Sequence, residues 1–319
     1  MQTVLAAVLM ASLLGAQSAP RLVVLNKDDA TLVVVDTSTG KILGRVAVGE
    51  APHEAAVSTD GKLAFAANYG SQTPGATISV VDLGTMNELH RVDISPLRRP
   101  HGLYFHDGRL YFTAETNRLI GRYDPATDKV DWLMGTGLTG THMIWVSPDG
   151  ARIATANIGS NAIGIFERSQ NQQWSFIVVP VGRGPEGFDV SPDGRELWAA
   201  HSQDGGVSIV DLATKKVSTT FDAQTKRSNR LKFTPDGKHV LISDLDSGDL
   251  VVIDAASHQI ARRIALGKSP EGVLVDPDGS RAFVAVTGEN SIAVIDLKTW
   301  SVTSRIQPGR GPDGMALVR

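Results

Sequence analysis

Cysteine is absent from the 319 residues, and disulfides, thiolate metal sites and covalently attached haem are excluded with it. Positive charge is not in excess, since 31 Lys and Arg face 34 Asp and Glu. A net charge of −3 argues against a general nucleic-acid-binding surface. Long hydrophobic runs are missing as well. The longest, from Val4 to Gly15, is too short to span a bilayer, and no later segment of the mature chain would do so. That run carries no charge and is followed by the small residues Ala16, Ser18 and Ala19, so residues 1–19 read as a secretory signal peptide, with a periplasmic or secreted product. No P-loop, dinucleotide fingerprint or Gly-x-Ser-x-Gly elbow occurs, so no nucleotide cofactor is expected. Aromatic residues make up only 6%, whereas glycine is plentiful at 32 residues, a composition that suits many short strands joined by tight turns.

What the chain does have is a repeat. Asp-Gly pairs stand at 60–61, 107–108, 149–150, 193–194, 236–237 and 278–279, and their glycines are 47, 42, 44, 43 and 42 residues apart. Asp-Gly between apolar runs marks a tight turn, because glycine accepts the positive φ required there. Each unit supplies an apolar run before the turn, a β-rich run after it, a run such as "VSIVDL", and a polar-alternating strand. That makes four strands per unit.

A second landmark closes each third strand with an acid: Asp36, Asp82, Asp124, Glu167, Asp211, Asp254 and Asp296. Seven acids against six Asp-Gly turns means that one turn falls outside the chain. The mature chain begins with "RLVVLN", which matches the strand after such a turn, and it ends with "GMALV", which matches the strand before one. The termini therefore pair and close a ring of seven four-stranded blades, an all-β seven-bladed propeller over residues 20–319 without open edges.

The units "GRGPEGFDVSPDGRELWAAHSQDGGVSIVDLATKKV" and "GKSPEGVLVDPDGSRAFVAVTGENSIAVIDLKTWSV" resemble the YVTN-type, YncE-like bacterial β-propeller repeats. The resemblance covers residues 21–319 and implies the fold. It leaves activity open, because propellers serve as binding proteins, lyases, lactonases and dehydrogenase subunits alike.

Aligning the repeats shows what each blade offers at the channel mouth. The slot opening the first strand holds His53, His101, His142, Glu186, Asn229, Glu271 and Asp313. Five copies add a basic residue three positions earlier: Arg98, Arg183, Lys226, Lys268 and Arg310. The end of the second strand gives Asn26, Asn68, Glu115, Asn157, His201, Asp244 and Val286. The asparagines read as turn-binding residues. Glu115, His201 and Asp244 depart from that pattern and are expected beside the first ring.

Imidazole and carboxylate together suit a divalent transition metal, with His53, His101 and His142 as ligands and Glu186 as a fourth ligand or general base. The Lys and Arg halo would attract an anion. The expected ligand set for a small anionic or metal-associated molecule is therefore Arg98, Glu115, Arg183, Glu186, His201, Asn229, Asp244, Glu271, Arg310 and Asp313. Two other classes stay open: a lactonase-like or other metal-dependent hydrolase, and a scaffold for a protein partner. The loop "NYGSQTPGAT" is the longest on this face and is a candidate lid.

Overall fold

A computed structural model describes residues 20–318. The signal-peptide reading of residues 1–19 lies outside the described residues. Seven four-stranded antiparallel sheets form the chain, each an independent blade. Blade 1 is closed by both ends of the molecule, with Pro312–Val318 beside Arg21–Asn26, Thr31–Asp36 and Ile42–Ala47. Within it Arg21 pairs with Val318 and Val24 with Met315. Blades 2 to 7 follow in chain order, beginning at Pro52, Pro100, Thr141, Pro185, Ser228 and Pro270. Among the described residues no helix is long and apolar enough to cross a membrane.

The first strand of each blade is innermost, because these strands contact their counterparts in neighbouring blades around the channel. The second strands, such as Leu63–Asn68 and Arg281–Val286, are buried along almost their whole length. Both of their faces lie between blades, which is why they read as near-continuous apolar runs and not as alternating ones. Outer strands such as Ser301–Ile306 remain largely exposed and polar. The apolar clusters straddle neighbouring blades: Phe65 and Ile78 of blade 2 pack with Leu110 and Phe112 of blade 3. Truncating one such fully buried phenylalanine to alanine costs about 3–5 kcal/mol.

The landmarks read from the repeat have physical counterparts. The six Asp-Gly glycines all adopt positive φ, between 64° and 72°. The third-strand acids Asp36, Asp82, Asp211, Asp254 and Asp296 each accept backbone N–H groups of the following turn. Glu167 differs, pairing instead with Arg152 and Lys215.

Every inner strand carries a β-bulge just after its first residue. Pro52 faces Asn68 while Ala55 faces Ala66, so one extra residue lies between them, and the same shift recurs in all seven blades. A bulge re-aims the side chains it contains. Here it turns one residue per blade into the channel mouth.

Candidate functional site at the channel mouth

The seven bulge residues His53, His101, His142, Glu186, Asn229, Glu271 and Asp313 all line one cavity of about 200 Å³, joined by Lys27, Tyr69, Arg227 and Arg230. The seven aligned positions thus meet at one cavity. The histidines occupy one side. The His101 and His142 ring centroids lie 3.6 Å apart, and those of His53 and His101 lie 5.3 Å apart. His142 Nδ1 makes a short contact with Glu115 Oε1, and Tyr69 Oη donates to Glu115 Oε2 at 2.6 Å. With Nδ1 held by a carboxylate, His142 is oriented so that Nε2 is the nitrogen left for another partner.

That Nε2 is buried without a hydrogen-bond partner, and so is Nδ1 of His101. Donor atoms of His101, Glu115 and His142 all lie within 4.8 Å of one another, a grouping able to hold a metal ion. Burial, aided by the neighbouring His142, holds the His101 imidazole well below its usual pKa and hence neutral. Burial also lowers His53, against the attraction of Asp313. For Glu115 burial acts to raise the pKa, but the hydrogen bonds from His142 and Tyr69 outweigh it and keep the group ionised. His53 Nδ1 is satisfied by the Ala51 carbonyl at 2.7 Å, and His53 is not among the three grouped donors.

The opposite side is ionic. Lys27 Nζ contacts Glu271 closely and lies 3.2 Å from Asp313 Oδ2. Arg230 pairs with Glu54 and donates to Asn229 Oδ1 at 3.2 Å, while Asn229 Nδ2 donates to Glu186 at 2.6 Å. Burial and the Asp313 charge push Glu271 up to about 7, against the pull of Lys27. For Asp313 burial again acts upward, but Lys27 and Arg230 outweigh it and it stays ionised.

Several expected residues are elsewhere, for physical reasons. His201 uses both ring nitrogens in a turn, with Asp204 at 2.9 Å and the Gly182 N–H at 3.2 Å. Asp244 accepts the Lys226 and Arg227 backbone N–H groups, each at 2.8 Å. Arg98 folds back on Ser95 and Leu97, Arg183 on Gln203, and Arg310 on Asp29. Lys226 and Lys268 are exposed and do not line the cavity. The expected basic halo is thus not formed. The cations that do reach the mouth are Lys27, Arg227 and Arg230.

The sequence reading missed Lys27, Glu54, Tyr69, Arg227 and Arg230. Two of them had a signal. Four blades read Pro-x-Gly at the bulge, where glycine permits close packing: a Cβ on Gly102 would lie 2.6 Å from the His142 carbonyl oxygen. Glu54 and Arg230 occupy that glycine position in blades 2 and 6. Tyr69 comes from the loop read as a lid, and Arg99 lies over its ring at 4.5 Å.

Fold and site together define a seven-bladed β-propeller with a histidine-carboxylate cavity at one channel mouth. The model of the YNCE-like beta-propeller family matches residues 110–281, over half of the chain, and the protein belongs to that family. No curated protein sequence matches it. Among solved structures, hydrazine synthase from Kuenenia stuttgartiensis aligns with a TM-score of 0.71 at 20% identity, over 82% of this chain and 88% of its own. A candidate 6-phosphogluconolactonase from Bacteroides fragilis aligns with a TM-score of 0.79 at 17% identity, over 96% and 99%. The dihydro-heme d1 dehydrogenase NirN, solved in complex with DHE, aligns with a TM-score of 0.67 at 14% identity, over 96% and 77%. At such identities the likeness speaks for the fold alone.

Proposed function

We propose that the protein is a metal-binding propeller that acts outside the cytoplasm and holds a divalent transition-metal ion at the channel mouth. His101 and His142 supply nitrogen donors. Glu115 hydrogen-bonds His142 Nδ1 from the far side of the ring and so orients the nitrogen that faces the ion. The observation that carries this reading is the pair of buried, unpartnered ring nitrogens, His101 Nδ1 and His142 Nε2. A buried polar atom without a partner is costly, and an ion between two imidazoles removes that cost twice over. Keeping His101 neutral favours the ion further, since the metal competes with no proton there.

The charge balance supports a cation over an anion. Glu54, Glu115, Glu186, Glu271 and Asp313 face only Lys27, Arg227 and Arg230. The apolar run from Val4 to Gly15, followed by small residues, supports export. Titration with Co(II), followed by visible absorption, tests the site. Wild type should develop ligand-field bands at one equivalent, and His101→Ala and His142→Ala should not. Identical spectra for wild type and both variants would refute the assignment.

A further inference from the structure

The ionic side of the cavity carries an independent indication of a ligand. Among the described residues, four buried side-chain polar atoms lack a partner, and three of them belong to residues lining this cavity. Two are the histidine nitrogens. The third is Asp313 Oδ1, on a residue only 2% exposed. Lys27 lies 3.2 Å from the other oxygen, Oδ2. Oδ1 is therefore an ionised acceptor, on a residue that lines the cavity, with nothing to accept from, which an anionic ligand would only worsen.

Around it, Glu54, Glu186, Glu271 and Asp313 outnumber Lys27, Arg227 and Arg230 by one. At pH 8, where Glu271 is ionised, the pocket is thus short of one positive charge and of one hydrogen-bond donor at the same place. A buried charge left one partner short is stabilised most by a partner that supplies both. Its volume of about 200 Å³ admits a small molecule, since a cavity of about 150 Å³ already takes a benzene ring.

We propose that this half of the cavity is a binding site for a small alkylammonium group, with Asp313 Oδ1 as its acceptor. Glu271 and Glu186 contribute the surrounding negative potential, and Lys27 holds Oδ2 so that Oδ1 keeps its orientation. The site shares its cavity with the metal reading but does not depend on it, because none of these carboxylates is among the metal donors.

The test uses the full chain freed of metal by chelation and titrated calorimetrically at pH 8 with ethylammonium, acetate and ethanol. Ethylammonium should bind, and acetate and ethanol should not. Asp313→Asn should weaken ethylammonium binding at least tenfold, and Glu271→Gln should weaken it several-fold without touching Oδ1. Because the chain is metal-free throughout, binding separates this site from the metal site, and Arg98→Ala, which removes a side chain folded back on Ser95 outside the cavity, should bind it as wild type does. Binding of acetate, equal binding of ethanol, or unchanged affinity in both carboxylate variants would overturn the proposal. If Asp313→Asn does not fold, Glu271→Gln alone decides.

Discussion

Arg230 on the inner strand of blade 6 forms a buried ion pair with Glu54 on the inner strand of blade 2, although blades 7 and 1 stand between them on the shorter way round the ring. The pair sits inside the channel, where burial opposes the Arg230 charge but Glu54 and Asp313 outweigh it. It joins strands that share no backbone hydrogen bond. At each end the side chain occupies a place that four other blades fill with glycine.

Breaking this pair from one side strands a buried charge. Arg230→Met should destabilise the protein by about 3–5 kcal/mol. The double variant Arg230→Met with Glu54→Gln should recover most of that loss. Denaturant midpoints of the wild type, both single variants and the double variant check it.

Glu271 makes stability depend on pH in a definite direction. Its folded pKa, about 7, lies above the ordinary carboxylate value. The folded state therefore holds the proton more tightly than the unfolded chain does, and this contribution is present at low pH and lost as pH rises through 7. Lys27, Asp313 and Arg230 are the charged groups facing it. Glu271→Gln should be more stable relative to wild type at pH 8 than at pH 5, by roughly 2 kcal/mol. Thermal melts at both pH values measure the difference. A gap of the opposite sign contradicts the assignment.

The closure of blade 1 predicts tolerance to rewiring. A chain ending after Gly311 loses the strand that pairs with Arg21–Asn26 and should not melt cooperatively. A circular permutant, with Val318 joined to Arg21 through a short Asp-Gly turn and new ends at the Asp107-Gly108 turn, should fold and melt cooperatively. Circular dichroism distinguishes the two.

Glu115 orients His142 through Nδ1 and is itself held by Tyr69. Glu115→Gln should weaken metal binding about 10–100-fold, the usual effect of losing such an orienting carboxylate. Tyr69→Phe should weaken it less. Competition with a chromophoric chelator measures both.

The architecture was legible because each repeat states the same few physical requirements: an Asp-Gly turn, a doubly buried second strand, and an acid capping the third-strand turn. Even the missing turn was readable as the gap between the termini. The seven mouth residues were legible for the same reason, since one bulge position aligned across seven copies names them all. The basic halo was not legible. Residues three positions before the slot lie in turns leaving the channel, so Arg98, Arg183 and Arg310 find partners nearby on their own face. His201 and Asp244 matched the position of Glu115, but their side chains satisfy local backbone, whereas Glu115 reaches His142 on the next blade. Sequence alignment fixes a backbone position and leaves the side chain's partner undetermined.

The most direct measurement is anomalous diffraction from crystals grown with one equivalent of Zn(II) or Co(II), collected on both sides of the metal's absorption edge. A single strong peak in contact with His101 and His142, absent in crystals of the His142→Ala variant, is the predicted result. No peak in the cavity at saturating metal, or the same peak retained in the variant, would contradict it.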